Sequence, residues 1–170
     1  HWGNATSFVT AYAGDFFVLM REHGLAVPEG LAGSVLQEME YAAARTPANL
    51  QDARYKTYAA WVLQRDGRIM TGAFNTIESW FKRNARNWEK DIVSAMMADG
   101  FRRLRLTRRA AERMPAAIQP TSDQFVPSGM ARAVFVLAQK SVAPDKAVDE
   151  QVQRGLLDSA FSQGASTIDQ

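Results

Sequence analysis

Two histidines, His1 and His23, and no cysteine are what this 170-residue sequence offers for nucleophile activation and soft metal ligation. A zinc site would need convergent carboxylates beside them, and no two histidines stand one helical turn apart. A serine triad would have to recruit one of these imidazoles, and the G-x-S-x-G elbow is missing. Gly30 and Gly33 lack the rest of any phosphate-loop fingerprint. The sequence therefore assigns no catalytic, cofactor-binding or metal-binding residue. His23 reads as a residue at a helix C-terminus, where its charge favours the macrodipole. Asp15 stands between Tyr12 and Phe16 beside an apolar stripe. Buried there, it is a candidate acid or base with a raised pKa. A lone acid needs partners for such work, however, and an arginine partner or a capping role is the simpler expectation.

A second cluster is basic. Phe101–Arg113 carries six arginines: Arg102, Arg103, Arg105, Arg108, Arg109 and Arg113. Such a run can grip phosphates, and the break at Thr107 mimics a helix-turn-helix corner. Asp91, Asp99 and Glu112 lie close by, and the interleaved positions are aliphatic, so a solvated helix face is the expectation. Arg102, Arg103, Arg105, Arg108 and Arg109 are the candidate partner-binding residues. No nucleic acid is expected: 20 basic against 18 acidic residues leave a net charge of only +2.

The elements that position these residues are helices throughout. Phe8, Tyr12, Phe16 and Leu19 form one stripe of a first helix capped at Thr6 or Ser7 and ended by Gly24. Val9, Phe17 and Val18 make it apolar on a further face, so it is expected at the centre. Pro28 and Glu29 open a second helix with Leu31, Val35, Met39 and Ala42 inward. Asn49 starts a third, with Tyr55, Tyr58 and Val62 inward and Asp66-Gly67 at its end. Thr71 starts a fourth carrying Phe74, Ile77 and Phe81. A fifth opens near Trp88 and runs through Gly100 to about Leu106 on the stripes Trp88/Ile92/Ala95/Met96 and Val93/Met97/Phe101/Leu104. Thr107 caps a short sixth, Arg108–Met114. Residues 115–128, with Pro115, Pro120 and Pro127, form a connecting loop. Met130, Val134, Leu137 and Ala138 mark a seventh helix, and Pro144 opens an eighth with Val148, Val152, Leu156 and Ala160 inward. The expected fold is a single all-α domain, residues 1–170, of about eight helices in antiparallel hairpins.

The sequence is 46% hydrophobic and 22% charged, which excludes disorder. No apolar run approaches the length of a membrane span. A start at His1 rather than methionine is expected of a processed product or an excised piece. The hairpins echo one another: Phe17-Val-Leu-Met-Arg-Glu-His-Gly24 resembles Trp61-Val-Leu-Gln-Arg-Asp-Gly67, a repeat of about 40 residues. Only Trp2 and a few small residues of this sequence stand ahead of the first helix, so its second apolar face is expected to be covered by self-association or by residues 115–128 folding back.

Three landmarks, Thr10–Leu31, Tyr58–Arg68 and Trp88–Asp91, in that order resemble the thioester-domain region of bacterial alpha-2-macroglobulins. Thr10-Ala-Tyr-Ala-Gly-Asp-Phe-Phe17, with Arg21-Glu-His-Gly24 and Val27-Pro-Glu-Gly-Leu31, resembles the family's T-A-Y-A-x-x-F-L helix, its glycine stop and the V-P that opens the next helix. Tyr58-Ala-Ala-Trp-Val-Leu-Gln-Arg-Asp-Gly-Arg68 resembles Y-A-x-Y-V-L-x-R-x-G-R. Trp88-Glu-Lys-Asp91 resembles a W-x-x-D helix, and Ala165-Ser-Thr-Ile168 the start of a later one. The resemblance implies part of an α/α toroid. It also implies a large periplasmic, membrane-anchored parent that traps proteases as an endopeptidase inhibitor, with proteases and the parent's other domains as partners. The family's C-x-E-Q thioester cannot lie within a chain lacking cysteine, so no catalytic residue is carried over. Tyr12, Tyr58, Trp88 and Asp91 carry over as packing positions only. The alternative is a free helical-repeat domain that binds a protein or nucleic acid through the Arg102–Arg113 face.

Overall fold

The computed structural model describes residues 3–119 and 128–148, and beyond them residues 150, 152–155 and 157. The described residues are all-helical, with no strand. The α-helices are α1 (Gly3–Glu22), α2 (Glu29–Ala43), α3 (Leu50–Arg65), α4 (Thr71–Asn84), α5 (Ile92–Arg103), α6 (Thr107–Arg113) and α7 (Ser128–Val142), and a 3-10 turn, Trp88–Lys90, leads into α5. Most of the proline-rich connection and the tail from Ser162 fall outside the described residues; of the eighth helix expected to open at Pro144, residues 144–148 are turn and coil, and 150, 152–155 and 157 are helical.

Register fixes the direction of each helix. Arg21, near the end of α1, pairs with Glu29 at the start of α2 at 2.5 Å, and Gly14 faces Met39. Thus α2 runs back along α1. Between α1 and α3 the partners advance together: the Tyr12 and Tyr58 rings lie 6.2 Å apart, and Glu22 meets Arg65 at 2.6 Å. From α3 to α5 they again advance together, with Arg54 on Asp91 at 2.6 Å and Trp61 on Asp99 at 2.8 Å. α7 runs the same way: Met130 near its start meets Tyr12, and the Ser141 carbonyl near its end accepts from Arg102 at 2.8 Å. So α1, α3, α5 and α7 are parallel, while α2 and α4 are returns. Partners on successive parallel helices are 43, 38 and 39 residues apart, close to the repeat expected from the sequence.

The echo between α1 and α3 is a shared helix stop. Gly24 and Gly67 take left-handed φ values of 68° and 89°. Leu25 N–H donates to the Met20 carbonyl at 2.9 Å and Arg68 N–H to the Leu63 carbonyl at 3.0 Å, the long bond of a Schellman cap. α5 ends by the same device without glycine. Arg105 has φ 60°, and Leu106 N–H donates to the Phe101 carbonyl at 2.9 Å. This stops α5 at Arg103, short of the expected Leu106. Thr107 is the first residue of α6 rather than its cap, and Leu106 in the cap position makes no side-chain hydrogen bond.

The core lies between α3 and α5, not around α1. Residues 55–64 of α3 and 92–101 of α5 are buried without a break. Burying polar positions of α3 requires partners. Thr57 Oγ1 donates to the Ala53 carbonyl at 2.8 Å, Gln64 accepts from Met70 N–H at 3.1 Å, and Lys56 donates to Asp52 at 2.8 Å. Asn49 caps α3 by accepting from Asp52 N–H at 2.9 Å. α4 turns Phe74, Ile77 and Phe81 inward, as its spacing predicts. The interior Gly100 has a packing reason: a Cβ there would sit 2.6 Å from the Phe74 ring, so glycine lets α4 and α5 approach.

The first helix is oriented against expectation. Ala11, Phe17 and Val18 are buried, whereas Tyr12, Phe16 and Leu19 are exposed together with Val9. A Cβ on Gly14 would lie 2.1 Å from the Met39 sulfur, so the small Ala11/Gly14 side seats against α2 and the bulky stripe is turned outward. α2 shifts likewise: Ala32 and Leu36 are buried and Leu31 is exposed. In α7, Ala131, Val134, Phe135 and Ala138 are buried, and Leu137, expected inside, is 61% exposed.

Candidate interaction surface

α1 and α7 flank a groove of about 380 Å³ whose floor is the surface of α3 and α5. Its walls are apolar: Leu19 on one side, Met130, Val134 and Leu137 on the other. Its charged side chains come from α1, which supplies Asp15 and Glu22, as well as from the floor. Asp15 accepts from Arg65 at 2.6 Å and from the Tyr58 hydroxyl at 2.5 Å. The same guanidinium grips Glu22 through Nε and NH2, at 3.1 and 2.6 Å, and lies over the Trp61 ring at 4.9 Å. Hydrogen bonding to Arg65 holds the Glu22 carboxyl below its usual range, more strongly than burial raises it. Burial, then the adjacent Asp15 charge, pushes the Tyr58 hydroxyl far above its usual range. Asp15 is therefore an ion-paired residue, as the simpler reading expected.

Deeper in the floor, Asp99 accepts from Trp61 Nε1 at 2.8 Å and from Arg103 Nε at 2.9 Å, both on Oδ2. Asp99 is 2% exposed, and its Oδ1 has no hydrogen-bond partner among the described residues. Nothing in the sequence distinguished it from other helical acids.

The arginine segment is distributed over several surroundings. Arg102 is exposed at the end of α5, on the Ser141 carbonyl, and Arg105 is exposed in the left-handed turn. Arg103 turns to the groove and Asp99. Arg108 is solvated beside Glu112 at 3.5 Å. Arg109 and Arg113 turn inward onto Glu78 of α4, Arg109 covering the Phe101 ring at 4.0 Å and Arg113 the Trp88 ring at 4.7 Å. Burial pushes the Glu78 carboxyl up, but a hydrogen bond from Lys82 and the charges of Arg113 and Arg109 outweigh it and hold the group below its usual range.

The landmark residues also have definite roles. Trp88 is buried in the 3-10 turn and stacks on Phe81 at 5.4 Å. Asp91 does more than pack: it caps α5 through Val93 N–H at 3.2 Å while Arg54 holds its other oxygen. Tyr12 is half-exposed against Tyr58 and Met130. His23 is exposed just past α1. Among the described residues, no three histidine or acidic side chains gather as a metal site, and no helix is long and apolar enough to cross a membrane.

The chain is similar to bacterial alpha-2-macroglobulins. It is 27% identical to the Alpha-2-macroglobulin of Pasteurella multocida over 137 residues, which is 74% of this chain and 7% of that protein. It is 26% identical to the Alpha-2-macroglobulin of Rickettsia conorii over 65% of its length, and 24% identical to the Alpha-2-macroglobulin homolog of Yersinia pestis over 69%. The chain thus spans only 6–7% of the length of these relatives. No family model matches it, and no solved structure matches it. The similarity is of low identity and falls on one short region of each relative.

Proposed function

We propose that this chain is a piece of a bacterial alpha-2-macroglobulin-like protein that traps proteases. Within it, the chain is a non-catalytic packing unit: part of a thioester-type α/α toroid in a periplasmic, membrane-anchored parent. The observation that carries this is the similarity to three such proteins over most of this chain but a small share of theirs. The parallel order of α1, α3, α5 and α7 on a repeat near 40 residues supports it, because stacked helical hairpins produce that order. The outward stripe of α1 supports it as well. Val9 is 69% exposed, Phe16 57% and Leu19 45%, a continuous apolar face of the kind that packs on a neighbouring element. The partners are then the parent's other domains and, through them, the trapped protease.

The reading is tested on the gene. A longer reading frame is expected upstream of the His1 codon, carrying a C-x-E-Q thioester motif or its disrupted remnant just before that codon. A frame that opens at His1, or an unrelated upstream domain, overturns the reading.

A further inference from the structure

The groove between α1 and α7 has one buried acceptor atom, Asp99 Oδ1, that receives no donor among the described residues. Asp99 is 2% exposed, lines the groove, and leaves Oδ1 without a hydrogen-bond partner among the described residues. A buried carboxylate oxygen so left costs free energy comparable to a lost hydrogen bond, more because it is charged. Five charged side chains line the groove: Asp15, Glu22 and Asp99 against Arg65 and Arg103. Acids exceed bases by one. Above them stand the aliphatic walls Leu19, Val134 and Leu137. A ligand that suits such a channel has an unbranched apolar stem and a cationic end with several donors.

The geometry points to a subsite for a lysine side chain, presented by a protein segment that packs along α1. The stem would lie between Leu19 and Leu137, and the ammonium would give its protons to Asp99 Oδ1 and to spare lone pairs on Asp15 or Glu22. Arg103 must swing aside to admit it. Its side chain is 37% exposed and is held to Asp99 through Nε, so the movement is a surface rotamer change. The occupant is a protein segment because the wall is continuous with the apolar stripe of α1 from Leu19 to Phe16 and Val9, which a lone amine leaves uncovered. The subsite belongs to the groove alone and stands whether or not the chain derives from a protease trap.

The test uses the full 170-residue chain labelled at its indole nitrogens. The Trp61 Nε1–H resonance reports on Asp99. Pentylammonium mimics the lysine stem and head, and 1-pentanol is its uncharged counterpart. Saturable movement of the Trp61 signal is expected with pentylammonium, about tenfold tighter than with pentanol, as one charge-assisted hydrogen bond implies. Asp99→Asn should erase that preference. Arg103→Gln, at a partly exposed site where folding is not at risk, removes the competing cation and should tighten pentylammonium binding several-fold. Equal affinity for the two probes, no movement with either, or indifference to Arg103→Gln overturns the proposal. A Lys-bearing amphipathic helix should bind more tightly than pentylammonium; an equal affinity would mean a small-amine site and would overturn the assignment to a protein segment.

Discussion

Trp88 is 4% exposed, stacked on Phe81 and covered by Arg113, whereas Arg102 stands in solvent on a single carbonyl. Trp88→Ala should cost about 3–5 kcal/mol and Arg102→Ala within about 0.5 kcal/mol. Denaturant midpoints decide it; equal losses would refute the assignment of faces. Two carboxylates contribute to the acid limb of stability. Glu22 and Glu78 both have folded pKa values lowered from 4.5. A group lowered in the folded state stabilises the fold above its unfolded pKa and loses that contribution as pH falls through the folded value. Stability should therefore decline below about pH 4.5, and Glu78→Gln should flatten that decline in a urea series across pH. At this scale the sequence was legible for Tyr58, Trp88 and Asp15, whose neighbours already named a stripe or a partner. It was silent on Asp99 and Glu78, whose burial is decided by residues of α3 and α6 that reach them from far along the chain.

Helix boundaries separated into those written in local chemistry and those set by packing. Asn49 and Asp66-Gly67 marked α3 directly, because caps act within one turn, and Thr71 marked the start of α4 as its first residue without capping it. The end of α5 escaped because Arg105 fills a place where glycine is usual. Restoring the usual residue should help: Arg105→Gly relieves the left-handed strain and should stabilise by up to about 1 kcal/mol, while Gly67→Ala should cost about 1–2 kcal/mol. Gly100→Ala improves helix propensity by about 1 kcal/mol but drives a methyl into the Phe74 ring, and overpacking costs about 1–3 kcal/mol. A net loss is expected in thermal unfolding. The orientation of α1 was illegible for a related reason. A helix apolar on two faces has no unique inside by periodicity. The choice fell to Gly14 and Ala11, whose smallness lets Met39 of α2 approach. The same preference for close approach put Ala32 inside and Leu31 outside in α2.

For the molecule as a whole, the hairpin repeat and the all-α class were readable because helical period and glycine stops recur along the chain. The central place of α3 and α5 was not, since burial on every side depends on neighbours that sequence order does not reveal. The outward stripe of α1 is, on this reading, a packing face awaiting another helix. Light scattering across a concentration series checks it, on the wild-type chain and on the double substitution Phe16→Glu, Leu19→Glu. Those two side chains are 57% and 45% exposed, so the fold should survive with unchanged circular dichroism. The wild type is expected to gain mass with concentration by pairing through this face, and the double variant to remain a monomer. A wild type that stays monomeric throughout, or a variant that associates as strongly as the wild type, would contradict the packing-face reading.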